Sequence, residues 1–319
     1  MFTKLSVAAF VTTVLAFGST GAIASPFFSA ESRSSIGGIL GPAEVNSSTD
    51  GSTVTSHTEM LGGNRNAIAD AVAGRGFLGV SSNSSQVGLS GVSEARSGAE
   101  FTVSLFTTCP AGAAACATSP TSINFSMGGH FSGGVPVGMN AEGALSVGVR
   151  LKQVGGSTIL SQNGAIVVTT VPEGGFPQAG LVLRPDLPPD GLLAGYILNQ
   201  NLISFTTAEF SLAPDSEYEL LVFMNSFSQS PIRGVFTELS ASSLDVDFGS
   251  TLTFGPGPVF NGNLPFQISA PDANIANNQW IDPRGVSGSI PEPEVAVLFA
   301  VGLTLMGWMR RRGKGRAVA

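Results

Sequence analysis

Short stretches in which apolar and polar residues alternate are what most constrain the fold of this chain. Residues 100–107 place Phe101, Val103 and Leu105 on one face and Thr102, Ser104 and Phe106 on the other. Residues 123–127 and 145–152 repeat the pattern, and further strands are predicted over 202–205, 217–223 and 244–254. A side-chain period of two belongs to extended chain, and polar outer residues mark it as half-buried antiparallel sheet. Turn clusters rich in Gly, Pro, Asn and Ser separate these stretches. The pattern implies an all-β chain, an antiparallel β-sandwich, with a jelly-roll order among the topologies it allows. No repeat of fixed period is visible, which excludes a solenoid.

Local signals divide the chain further. The Asn163-Gly164 pair between two apolar runs predicts a hairpin turn. Residues 66–73 predict a helix with Asn64 as its cap, inside a loosely organised N-terminal segment, 25–75, that carries the turn clusters at 34–38 and 46–52. The sandwich body is expected over 76–272, interrupted by Pro-rich chain between 171 and 191. Gly, Pro and Asn dominate 255–288, and 273–289 reads as an extended spacer.

Both ends read as addresses. Lys4, an apolar run over residues 5–17 and the small-x-small triplet Ala22-Ile23-Ala24 form a signal peptide, residues 1–24. At the other end, Pro291-Glu292-Pro293 precedes an apolar run over 295–309 and then Arg310, Arg311 and Arg312. Fifteen helical residues span about 22 Å, short of the ~30 Å hydrocarbon core. The basic cluster would hold the tail on the cytoplasmic side, with the body outside the inner membrane. Residues 290–319 resemble the PEP-CTERM sorting signal of Gram-negative bacteria, with Ile290 where that family often has Val. The resemblance implies a single membrane-spanning sorting helix, cut by an exosortase-type processing protease that recognises Pro291, Glu292 and Pro293. It also implies delivery to the cell surface or to the extracellular matrix of a species that makes exopolysaccharide. Glu217-Tyr218-Glu219-Leu220, followed by Asp247-Phe248-Gly249-Ser250-Thr251, resembles a C-terminal pattern of the same family and implies a sandwich core.

Charge narrows the partners. Residues 25–309 hold nine basic and 22 acidic residues, a net charge of −13. That excludes nucleic acid and anionic lipid headgroups as partners. Charged residues are 12% of the chain, about half the usual share, while 43% hydrophobic residues are too many for a disordered chain. Cys109 and Cys116 form an even pair in an exported chain and point to a disulfide, which in a loop this short contributes about 2–3 kcal/mol. A metal or redox site is the rival reading, but no second Cys pair exists.

Candidate chemistry is sparse. A nucleophilic hydrolase needs a histidine between a nucleophile and an acid. His57 lies in the loose segment, His130 in a Gly-rich stretch, and no Gly-x-Ser-x-Gly elbow occurs. Asp245 and Asp247 share one strand face at about 6–7 Å, a spacing that paired-carboxylate chemistry uses and that many plain strands also show. With Asp215 and Glu217 they would suit calcium, though no calcium-loop motif is present. Trp280, flanked by Asn277, Asn278 and Gln279, is the candidate platform for a sugar. Trp308 belongs to the tail. The sequence therefore predicts no catalytic residue, no resident metal and no cofactor. It predicts an exported, non-enzymatic structural or adhesive protein linked to exopolysaccharide or the envelope, with a carbohydrate-binding module as the alternative and a secreted hydrolase as the third class.

Overall fold

Alternation becomes strand in the computed structural model of the chain, which describes residues 25–37, 39–87, 92–111, 116–134, 139–169, 194–199, 202–234, 241–255 and 257–283. The expected signal peptide and the expected sorting signal, with Pro291, Glu292, Pro293 and Arg310 to Arg312, lie outside the described residues. In chain order the strands are β1 (Phe27–Ile36), β2 (Ile39–Ser48), β3 (Val54–Gly62), β4 (Arg65–Gly74), β5 (Phe77–Val87) and β6 (Ser93–Thr108). Next come β7 (Ser119–Thr121), β8 (Asn124–Gly128), β9 (His130–Gly134), β10 (Met139–Gln153) and β11 (Thr158–Thr169). Then follow β12 (Ala194–Asn199), β13 (Leu202–Thr206), β14 (Phe210–Leu212), β15 (Ser216–Gly234) and β16 (Ala241–Phe254). The short β17 (Gln267–Ser269), β18 (Ile275–Ala276) and β19 (Gln279–Trp280) end the series.

Two antiparallel sheets form the sandwich. The first runs β11-β10-β15-β6-β1-β2, with β17 also on β6. The second runs β12-β13-β8-β16-β5-β4-β3, with β9 also on β16. Their inner faces meet over Phe28, Phe101, Val222, Phe248 and Phe254, all nearly inaccessible. Phe101 lies 6.4 Å from Phe28, its cross-strand neighbour in the first sheet, and 6.3 Å from Phe254, a tilted contact that bridges the sheets. Each such ring contributes about 1.5–3 kcal/mol by leaving water.

At one end of the sandwich the inner faces change character. One row of the first sheet is Ser32, Ser97 and Ser226, and the next includes Ser34, Ala95 and Ser228. The second sheet answers with Thr58, Ala69 and Ser82, then Ala67 and Ser84. These small residues let the sheets close up: Cα atoms of β1 come within 8 Å of those of β3 and β4, against the usual ~10 Å. Hydroxyls then reach across the gap, Ser97 Oγ donating to Ser81 O at 2.9 Å and Ser93 Oγ to Ser85 O at 2.9 Å.

The free side of the second sheet is closed by side chains. Glu44 Oε2 on β2 accepts the His57 N–H at 2.9 Å, and Asn46 Nδ2 donates to Thr55 O at 2.7 Å. The two groups supply the hydrogen bonds a further strand would make, which blunts the edge of β3.

The structure corrects four sequence expectations. Residues 66–73 are strand β4, because Ala67, Ala69, Ala71 and Ala73 are buried while the residues between them are not, a period of two. Asn64 sits in the turn before that strand rather than at a helix cap. Residues 25–75 are therefore not loose: they supply β1 to β4. Asn163 and Gly164 lie in mid-strand opposite Gly148 and Val147. The turn falls at 154–157 instead, where Gly155 takes a φ of 73°. The body also extends beyond 272, since Ala273 and Ile275 are buried and Ile281 N donates to Asn274 O at 2.8 Å.

Candidate functional site

Cross-strand register assembles side chains that are far apart in sequence. On the outer face of the second sheet, His57, Asp70, Ser81, Asp247 and His130 stand directly opposite one another across β3, β4, β5, β16 and β9. The inner neighbours explain the placement. Ser56, Thr58, Ala69, Ala71, Val80 and Val246 all point inward, so pleat alternation turns the polar row outward.

Hydrogen bonding within this row decides its chemistry. His57 Nδ1 lies 2.6 Å from Asp70 Oδ1, and Ser81 Oγ donates to Asp70 Oδ2 at 3.3 Å. The acid therefore stands between serine and histidine. A serine nucleophile needs the histidine in the middle to take its proton, so this row does not activate Ser81. His57 and Asp70 are also open to water, with side chains 58% and 50% exposed. The Asp70 contact raises the His57 pKa above its ordinary value. Asp245 is pushed up by burial and by Asp247, against the pull of Asn83 and His130.

The other candidates fall in separate places. Asp245 and Asp247 share one face, as their spacing implies, but Glu217 is on β15 of the first sheet and Asp215 in the bend before it. Asp215 Oδ1 accepts the Cys109 N–H at 2.9 Å, and Glu217 Oε1 accepts Ser104 Oγ at 3.1 Å. The four carboxylates expected to suit calcium do not converge. Among the described residues no group of three or more His, Cys, Asp or Glu is placed to hold a metal ion. Cys109 and Cys116 are joined by a disulfide.

Trp280 is half-buried, edge-on to Phe254 at 6.4 Å, with Nε1 3.4 Å from Arg75 O. Gly76 lies beneath it at φ 76°, and a Cβ there would meet both Trp280 Nε1 and Ala273 O. Of its amide neighbours, Asn278 serves the backbone, accepting from Phe260 N and donating to Phe260 O, each at 2.8 Å. Tyr218, on β15, has a packing role: its hydroxyl accepts the Ala213 N–H at 2.8 Å and pins the loop before β15.

The sequence did not single out the outer face of the first sheet. There Ser29, Glu100, Phe223, Gly148 and Asn163 form one row across β1, β6, β15, β10 and β11. The Phe223 ring covers Gly148, since a Cβ on that glycine would overlap Cζ and Cε1. In the adjacent row Asn225 covers Gly98 in the same way, its Oδ1 2.6 Å from where a Cβ would stand. Glu100 beside Phe223 has its pKa raised by burial and by Glu31, against the pull of Arg150. Two glycines opposite bulky β15 residues were the available signal, and it has meaning only once the register is known.

Comparison with known families finds no matching family model, and no curated protein matches the chain. Among solved structures, a family 11 carbohydrate-binding module from Clostridium thermocellum, in complex with a β-1,3-1,4-mixed-linked tetrasaccharide, aligns at 12% identity. The alignment covers 65% of this chain and 97% of that one, with a TM-score of 0.12. At that score the likeness carries no argument about fold or ligand.

Proposed function

We propose that this chain is an exported protein of the cell surface or extracellular matrix of a Gram-negative bacterium, with a structural or adhesive role linked to exopolysaccharide. The observation that carries the reading is the pairing of a signal peptide over 1–24 with the PEP-CTERM-like arrangement over 290–319. In this reading the tail spans the inner membrane as a helix until an exosortase-type protease recognises Pro291, Glu292 and Pro293. Arg310, Arg311 and Arg312 set the topology. The Cys109–Cys116 disulfide supports an oxidising, exported setting. In the order Ser81–Asp70–His57 the hydroxyl meets the carboxylate and not the histidine, so the row is not a serine–histidine–acid relay. A jelly-roll order of the strands belongs to the same proposal.

Intact mass of the protein recovered from the native host's envelope and medium tests it. A chain ending near Pro293 is expected. A chain that retains Arg310 to Ala319 replaces the sorted matrix protein with a membrane-anchored one.

A carbohydrate-binding module is the second reading. Trp280 favours it by keeping part of its ring at the surface beside the exposed Asn277 and Gln279. Trp280→Ala should then weaken glycan retention without unfolding the protein, and unaltered retention removes Trp280 from ligand contact.

A further inference from the structure

We infer that the outer face of the first sheet is a binding track for a neutral polysaccharide strand, with the Phe223 ring as its floor and Asn163, Asn225 and Glu100 as its polar contacts. The inference rests on the exopolysaccharide reading above and gives it a site. It starts from the two glycines. Because Gly148 and Gly98 lack side chains, Phe223 and Asn225 recline on the sheet instead of standing up from it. The result is a low strip between two raised borders. On one side Arg150 Nη2 reaches Glu219 Oε1 at 3.8 Å, and on the other the Arg96 guanidinium lies 5.0 Å from the Phe227 ring centre. Rows on one face are about 7 Å apart and neighbouring strands about 4.8 Å apart, so six strands give the strip a length of about 24 Å.

Its chemistry selects the occupant. An aromatic face with amide and carboxyl groups around it complements a sugar, which offers C–H groups on one face and hydroxyls at its rim. The charged residues in the Phe223 and Asn225 rows are Glu31 and Glu100, both acids, so a uronate, sulfated or phosphorylated polymer is repelled. Arg150 from the next row offsets Glu100, which leaves too little negative charge to favour a polyamine. Glu100 stands beside Phe223 in the same row and is half-buried. A sugar hydroxyl would donate to it.

Native gels cast with a polymer test the site on mature protein recovered from the host. The probes are the neutral fraction of the host exopolysaccharide, cellulose derivatives and galactomannan, with alginate as the anionic control. The wild type should be retarded by at least one neutral polymer and not by alginate. Phe223→Ala should weaken that binding about tenfold or more, and Phe223→Tyr should keep it. Because Phe223→Ala also uncovers Gly148 and lowers stability, the deciding variant is Asn163→Ala. This residue is exposed, and its loss should weaken binding several-fold at unchanged Tm. Retardation by alginate alone, by no neutral polymer, or undiminished in both Phe223→Ala and Asn163→Ala overturns the site. A tail cut near Pro293 with no retardation sinks the track and leaves the sorting reading standing. An intact tail with Phe223-dependent retardation does the reverse.

Discussion

The two ends of the layer between the sheets are built from different chemistry. At one end Phe28, Phe101 and Phe254 bridge the sheets and exclude water by bulk. At the other, Ser, Thr and Ala bring the sheets close, and several fully buried hydroxyls, on Ser32, Ser34, Ser56, Thr58, Ser82, Ser84 and Ser228, have no hydrogen-bond partner in the structure. Buried polar groups without partners are rare in folded proteins, and each costs about 1–3 kcal/mol. The difference teaches that this sandwich is held together from its aromatic end, while the hydroxyl end follows and adds register more than stability.

Truncation at the aromatic end is the most severe way to break that contrast. Phe101→Ala should lose about 3–5 kcal/mol in chemical denaturation, because the ring contacts both sheets and leaves a cavity. A loss under 1 kcal/mol would mean that the aromatic end does not dominate. At the narrow end the damaging change is enlargement. Ala69→Leu should destabilise by about 1–3 kcal/mol, as a larger side chain forces the closely spaced sheets apart.

Two serine substitutions sharpen the comparison. Ser97 Oγ bonds both Ser81 O and Ser226 Oγ, so Ser97→Ala should cost about 1 kcal/mol. Ser82→Ala should be neutral or slightly stabilising, because its hydroxyl has no partner to lose. If Ser82→Ala instead cost as much as Ser97→Ala, the hydroxyl end would be hydrated and its serines satisfied.

The smallest effect is expected on the outer face. His57 has its pKa raised by Asp70, so the folded state favours its protonated form. That contribution is complete below pH 6.5, the ordinary histidine value, and is lost as pH rises through the raised pKa. With both side chains largely in water it is worth only a few tenths of a kcal/mol. Asp70→Asn should flatten the stability profile across this window, and an unchanged profile would remove the pair from the stability of the sheet.

Strand existence was legible wherever the outer residues were polar and the inner ones large, as over 100–107, 145–152 and 217–223. It was illegible where the inner residues were Ala or Ser. Residues 66–73 carry alternate alanines, a strong helix former, and only burial against β1 and β6 turns them into strand. Ser81 to Gln86 contain no apolar residue, and the buried half is Ser82, Ser84 and Gln86, so no hydrophobic alternation marks the strand. The pairing of Asp245 with Asp247 could be read locally, since two residues in one strand share a face without reference to any partner.

By itself the sequence determined the extended period-two character of much of the body and the proximity of Cys109 to Cys116. These are local properties, set by residues a few positions apart. Only the tertiary structure decided which strands are neighbours, that Asn163 and Gly164 lie inside a strand, and that His57 meets Asp70 while Phe223 covers Gly148. Register joins residues up to a hundred or more positions apart, through backbone hydrogen bonds and burial summed over whole strands. A slip of one residue would turn every side chain of a strand to the opposite face.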